Sequence, residues 1–211
     1  MKFVIFHGSF GSPEGNWFPR LKNELEKLGQ EVIIPRFPIE NWEEVTKSGT
    51  DFSFQKQNLN NWLKEFEKYF PQLKDDKPVF VSHSLGPVFI LHILEKYNLN
   101  LDSAFFVSPF LTKLNSKVWQ IEQANQSFYK DSFNYKKLQE LVNISFVIYG
   151  DNDPYVSKNY PLTFAEKMNS EIIPVKGGGH LNAEFGFTSF PLVLELCKTR
   201  LNYSNFLPSA K

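Results

Sequence analysis

Ser84 lies in the string Ser82-His83-Ser84-Leu85-Gly86, between the apolar run Val79 to Val81 and a second one from Val88 to Leu94. A serine on a sharp strand-to-helix turn presents its hydroxyl clear of the backbone, and small residues two places before and after let strand and helix approach. Ser82 and Gly86 both meet that size limit, with serine standing where glycine is usual. Pro87 fits a first helical turn, where an N–H has no intrahelical partner to lose. The competing reading is a plain strand-to-helix turn in which Ser84 only caps the helix.

A serine hydroxyl needs a histidine base held by a carboxylate before it is nucleophilic at neutral pH. Of four histidines, His83 adjoins Ser84 and points elsewhere, His92 falls two turns into the following helix, and His7 ends the first apolar run and shapes the loop beside the turn. His180 follows the last apolar run after Gly177-Gly178-Gly179, a segment able to carry an imidazole over the edge of a sheet. The alternative is a polar loop residue beside glycines that serve only a turn.

For the acid, Tyr149-Gly150 ends an apolar run and Asp151-Asn152-Asp153-Pro154 follows it. Asp153, three residues after the glycine, is preferred, with Asp151 in reserve; such residues also form turns for local reasons. Ser84, Asp153 and His180 then occur in the serine, acid, histidine order of α/β-hydrolases. An oxyanion requires backbone donors: one expected is the Leu85 N–H after the nucleophile, the other the Ser9 N–H in His7-Gly8-Ser9-Phe10-Gly11, with Phe10 an alternative and a glycine-rich turn the competing account.

Those residues must be positioned by strands and helices. Short apolar runs at Phe3 to Phe6, Val32 to Ile34, Val79 to Val81, Ala104 to Val107, Phe146 to Tyr149 and Ile172 to Val175 read as buried strands. Leu59, Trp62, Leu63, Phe66 and Phe70 make one helical stripe; Leu21, Leu25 and Leu28 make another, stopped by Gly29. Strands alternating with helices, without two-residue hairpin signals, predict an α/β class: a doubly wound, mostly parallel six-stranded sheet with helices on both faces. Ligands of such sheets bind beyond the carboxyl ends of the strands, where Ser84, Asp153 and His180 all fall.

The chain has 211 residues, 42% of them hydrophobic, and is expected to form a single domain over 1–211. Residues 111–142, the longest stretch between strands, are a candidate small lid, with Phe110, Trp119, Phe128, Tyr129 and Phe133 as pocket or core residues. Lysine plus arginine and aspartate plus glutamate both total 23, so no basic field exists to gather nucleic acid. One cysteine, Cys197, and the lack of a leader or spanning apolar run point to a cytoplasmic protein with no membrane partner, monomeric by default. No histidine-cysteine cluster, phosphate loop or dinucleotide fingerprint is present, so neither metal nor cofactor is expected. Asp151-Asn152-Asp153 lacks the downstream glycine and glutamate of a calcium loop.

Phe6-His7-Gly8, Asn16-Trp17-Phe18, Val81-Ser82-His83-Ser84-Leu85-Gly86 and, above all, Gly178-Gly179-His180 running to Glu184-Phe185-Gly186-Phe187-Thr188-Ser189 resemble the small serine hydrolases related to the retinoblastoma-binding hydrolase, especially their bacterial YdeN-type branch. The resemblance spans nearly the whole chain. It implies a compact α/β-hydrolase fold without the first two antiparallel strands of larger relatives, a Ser84, Asp153, His180 triad, and esterase-like activity toward small acyl esters. The Leu-x-Cys-x-Glu element tied to retinoblastoma-protein binding is missing: Cys197 sits in Glu195-Leu196-Cys197-Lys198-Thr199, where Leu192, Val193, Leu196 and Leu201 suggest a packed terminal helix.

The expected chemistry is hydrolysis of a small-molecule acyl substrate through a covalent acyl-enzyme. A peptidase or thioesterase using the same triad, and a non-catalytic interaction module retaining the fold, are the alternatives.

Overall fold

The computed structural model describes residues 1–114 and 118–201; positions 115–117 of the expected 111–142 insertion lie outside the described residues. Its strands are β1 (Lys2–Phe6), β2 (Glu31–Ile33), β3 (Val79–His83), β4 (Leu101–Val107), β5 (Val142–Gly150) and β6 (Glu171–Val175). They form one sheet in the order β2-β1-β3-β4-β5-β6, and every neighbouring pair is parallel. The strand order reverses between β1 and β3, and the crevice at that reversal is where an open α/β sheet binds ligands.

Alternation along each strand divides the core in two. Val4 and Phe6 of β1, Phe80 of β3 and Ala104 and Phe106 of β4 face one layer; Phe3, Ile5, Val79, Val81, Phe105 and Val107 face the other. The second face is covered by α1 (Phe18–Lys27) and, at the far end of the chain, by the helix Pro191–Lys198. Leu21 and Leu25 of α1 are buried, and Gly29 at φ +75° takes the left-handed position after it, donating its N–H to the Glu26 carbonyl at 2.9 Å.

On the first face lie α3 (Leu59–Glu67) and α4 (Gly86–Tyr97), while α2 (Trp42–Ser48) precedes them in the chain. α3 ends at Glu67, so Phe70 falls in a separate short 3-10 turn over Phe70–Gln72, yet it packs against the same core as Leu59, Trp62, Leu63 and Phe66. Beyond β4 come α5 (Trp119–Asn125), a 3-10 turn (Gln126–Phe128) and α6 (Tyr135–Leu141); α7 (Asn159–Met168) links β5 to β6, and α8 is the terminal Pro191–Lys198 helix. The aromatic residues expected for pocket or core divide accordingly: Phe110, Phe128 and Phe133 are buried in the first-face core and Tyr129 packs against it.

β4 and β5 start earlier than their apolar runs suggest. Asp102 extends β4 because its carboxylate finds Arg200 Nε at 2.8 Å, and Ser145 sits in β5 with its hydroxyl 2.6 Å from that of Ser170.

Candidate active site

β3 delivers Ser84 to the reversal point of the sheet. Ser84 has φ +60°, a left-handed conformation costly for a side chain with a Cβ, and its N–H is fixed by the Val107 carbonyl at 2.9 Å. The close packing expected of the flanking small residues is visible in space: a Cβ on Gly86 would meet the Phe6 carbonyl oxygen and Ser82 Cβ, both at 3.1 Å. Gly8 is similarly confined, since a Cβ there would lie 2.8 Å from Ser84 Cβ. The turn after β1 therefore presses directly on the serine.

His180 Nε2 lies 3.1 Å from Ser84 Oγ, and its Nδ1 lies 2.8 Å from Asp153 Oδ2. A carboxylate facing Nδ1 places the ring proton there, leaving Nε2 as an acceptor for the serine hydroxyl. The Asp153 side chain is 1% exposed, and its other oxygen accepts the Tyr155 and Val156 N–H groups at 2.8 and 3.0 Å. Turn formation and orientation of His180 thus use the two oxygens of one carboxylate. Asp151 is exposed and engaged differently: Oδ1 accepts the Gly177 N–H at 2.8 Å, and neighbouring Asn152 accepts that of Gly179 at the same distance.

The His180 backbone is over-determined. Gly179 and Leu181 on either side both have positive φ, +55° and +54°. Trp17 donates its indole N–H to the Leu181 carbonyl at 3.0 Å, and Asn16 accepts the Ala183 N–H at 3.0 Å. His83, buried beneath, donates Nε2–H to the His180 carbonyl at 2.8 Å, with Ser108 Oγ at 3.3 Å from the same oxygen. Burial holds the His83 imidazole at about 3, so it stays neutral. Residue 83 thus points away from the Ser84 hydroxyl, yet ties the strand of the serine to the loop of the histidine. Its sequence position gives no hint of that contact.

His7 is also buried and neutral, lowered to about 4 by desolvation. It donates Nδ1–H to the Gly8 carbonyl at 2.8 Å and accepts the Phe37 N–H on Nε2 at 3.2 Å. The Gly8 carbonyl also receives the Gly11 N–H at 3.1 Å. In a trans peptide the N–H points opposite to the carbonyl, so these two bonds aim the Ser9 N–H away from His7. The Phe10 N–H is donated to Gln57 Oε1 at 2.9 Å, which removes it as an oxyanion donor. Gln57 and Asn125, which hold this turn from behind, carry no signal in the linear sequence.

A cavity of about 390 Å³ opens over Ser84 and His180. Phe10, Trp42, Leu114, Val118, Ile121 and Val156 supply an apolar wall, while Asn16, Tyr155, Asn182 and Glu184 supply polar edges. Residues of the 111–142 stretch thus reach the cavity, but by aliphatic side chains; Trp119 is half-buried outside it. Glu184, within the Gly178 to Ser189 string, accepts the Tyr155 hydroxyl at 2.7 and 2.9 Å. His92 is spent elsewhere, donating to the Phe128 carbonyl at 2.8 Å. Among the described residues no helix is long and apolar enough to cross a membrane.

Comparison with known proteins agrees with this architecture. The chain is 28% identical over 194 residues to YdeN of Bacillus subtilis, a protein described as a hydrolase, covering 91% of this chain and 92% of YdeN. The crystal structure of the B. subtilis ydeN product superposes with a TM-score of 0.79 at 27% identity, over 94% of this chain and 97% of that one. A protein described as a YdeN-like hydrolase from Pectobacterium atrosepticum gives 0.61 at 17% identity, over 98% and 92%. Est1E of Butyrivibrio proteoclasticus, solved with ferulic acid bound, gives 0.64 at 13%, over 94% and 86%, a likeness of fold. The fold is that of a compact α/β-hydrolase, and because the serine hydrolase family model matches residues 3–199, the chain belongs to the serine hydrolase family.

Proposed function

We propose that this protein hydrolyses small acyl esters, with Ser84 as nucleophile, His180 as general base and acid, and Asp153 as the group that orients His180. The observation that carries the reading is the strained Ser84 at φ +60° with its hydroxyl 3.1 Å from His180 Nε2. Ser84 Oγ attacks the ester carbonyl as its proton passes to His180 Nε2. The negative oxygen that develops is received by the N–H groups of Leu85, at the start of α4, and Ser9. Collapse expels the alcohol with the proton from His180. Water, deprotonated in its turn by His180, then attacks the acyl-enzyme, and release of the acid returns the proton to Ser84.

The apolar wall supports a hydrocarbon acyl group, and 390 Å³ is near the lower end of small-molecule pockets, which favours short chains. Glu184 is the only Asp, Glu, Lys or Arg among the described lining residues. In this reading the chain works as one cytoplasmic, monomeric domain without a cofactor.

Labelling with a fluorophosphonate and turnover of a p-nitrophenyl ester series test the assignment together. Wild type labels at Ser84 and favours short acyl chains, and Ser84→Ala loses both signals. Labelling that persists in Ser84→Ala moves the nucleophile elsewhere. Folded wild type inert to both probes favours an interaction module instead.

A further inference from the structure

Two buried amide side chains, far apart in the sequence, meet behind the turn after β1: Asn125 is fully buried and Gln57 is 1% exposed. Their hydrogen bonds have only one consistent direction. The Phe10 backbone N–H can only donate, so the Gln57 atom it meets at 2.9 Å is Oε1 and the other end of that amide is a donor. That end, Nε2, meets Asn125 at 3.2 Å, which makes the Asn125 atom Oδ1, and Ser9 Oγ donates to the same oxygen at 2.5 Å. Gln57 is itself anchored by buried Glu40, whose carboxylate accepts the N–H groups of Gln55, Lys56 and Gln57.

The second group of Asn125, Nδ2, is buried and is left for the Tyr129 hydroxyl, which is buried as well. What Asn125 contributes is orientation of Ser9. It stands four residues after the cavity residue Ile121 on α5, and positions four apart share a helix face. One face of α5 therefore touches both the acyl cavity and the turn that carries the Ser9 N–H.

We propose that Gln57 and Asn125 are positioning residues that hold the Ser9 to Phe10 turn in its oxyanion-binding form, and that α5 links acyl contacts at Ile121 to that turn. The proposal rests on the reading of Ser84 as nucleophile and the Ser9 N–H as an oxyanion donor. It makes part of the acyl binding energy appear in kcat, because a chain packed on Ile121 steadies the helix that fixes the hole.

Asn125→Leu, Gln57→Leu and Ser9→Ala each break the chain of bonds, while Asn125→Asp keeps an acceptor oxygen in place. Steady-state kinetics on the p-nitrophenyl ester series, with thermal melts as the folding control, read the outcome. The first three variants lower kcat about 10- to 100-fold with KM held within about twofold, as small misplacements of catalytic groups do. Asn125→Asp recovers part of the loss, and lengthening the acyl chain raises kcat less in Asn125→Leu than in wild type. Should Asn125→Leu fail to melt cooperatively, Ser9→Ala tests the same bond without disturbing a buried amide. Folded variants with wild-type kcat, or with a rise in KM alone, overturn the proposal. Wild type that neither labels at Ser84 nor hydrolyses esters fails the underlying reading instead.

Discussion

His180 Nδ1 lies 2.8 Å from Asp153 Oδ2, whereas the Asp151 carboxylate is bonded to the Gly177 N–H. Two aspartates two residues apart therefore hold the same loop by different atoms: Asp153 at the imidazole, Asp151 at the main chain. Asp153→Asn lowers kcat by about four orders of magnitude, the effect of presenting the wrong tautomer in a serine protease triad. Asp151→Asn costs about a kcal/mol of stability at most, the worth of one hydrogen bond, and leaves the histidine tautomer intact. Esterase kinetics on the two variants separate these roles, and an Asp151→Asn loss equal to that of Asp153→Asn contradicts the assignment.

The strained serine gives a prediction for stability. At φ +60° any residue with a Cβ is held against its preference, and glycine is not. Ser84→Gly is therefore more stable than Ser84→Ala by about 1 kcal/mol, although both are inactive. Urea unfolding of the pair measures the difference; equal midpoints and slopes count against strain at the turn.

Gly150 is the floor on which the histidine loop rests. A Cβ there would run into the backbone of Gly179 and Gly178. Gly150→Ala displaces the segment that carries His180 and lowers kcat at least about 100-fold, in line with the cost of misplacing a catalytic group. Fluorophosphonate labelling slows in parallel. Wild-type rates in this variant show that the loop can lift without moving the imidazole.

Two buried histidines predict a pH dependence of stability. His7 and His83 are held at about 4 and about 3, well below 6.5, chiefly by desolvation. Between pH 6.5 and 4 the unfolded chain binds protons that the native state refuses. The stabilisation is complete above pH 6.5 and falls as the solution is acidified, by about 1.4 kcal/mol per pH unit for each group well inside that window. Urea unfolding at pH 7 and pH 5 measures the slope, and His83→Gln makes it shallower. Identical stability at the two pH values rules the linkage out.

Cys197 is fully buried, and burial pushes its thiol well above the ordinary range. Iodoacetamide at pH 8 modifies it only at the rate of unfolding. Rapid stoichiometric modification of the folded protein places the thiol at the surface.

The amino-acid order alone determined the strands, the α/β class and the serine turn. The physical cause is that buried parallel strands need continuous apolar runs and a sharp turn needs small residues at fixed offsets, both local requirements. Boundaries failed where partners came from afar: Asp102 extends β4 because Arg200, nearly a hundred residues later, reaches it. Gly177 to Gly179 marked a loop able to cross the sheet edge, but not the contacts that hold it. That His83 braces the His180 carbonyl, that Gln57 occupies the Phe10 N–H, and that Asn125 meets Ser9 were decided only by tertiary structure. Hydrogen bonds between side chains brought together by the sheet have no fixed spacing in sequence, so no periodicity announces them. Ser84 was legible because its turn is local; the geometry of the base and of the oxyanion turn is not local, and folding alone assembles it.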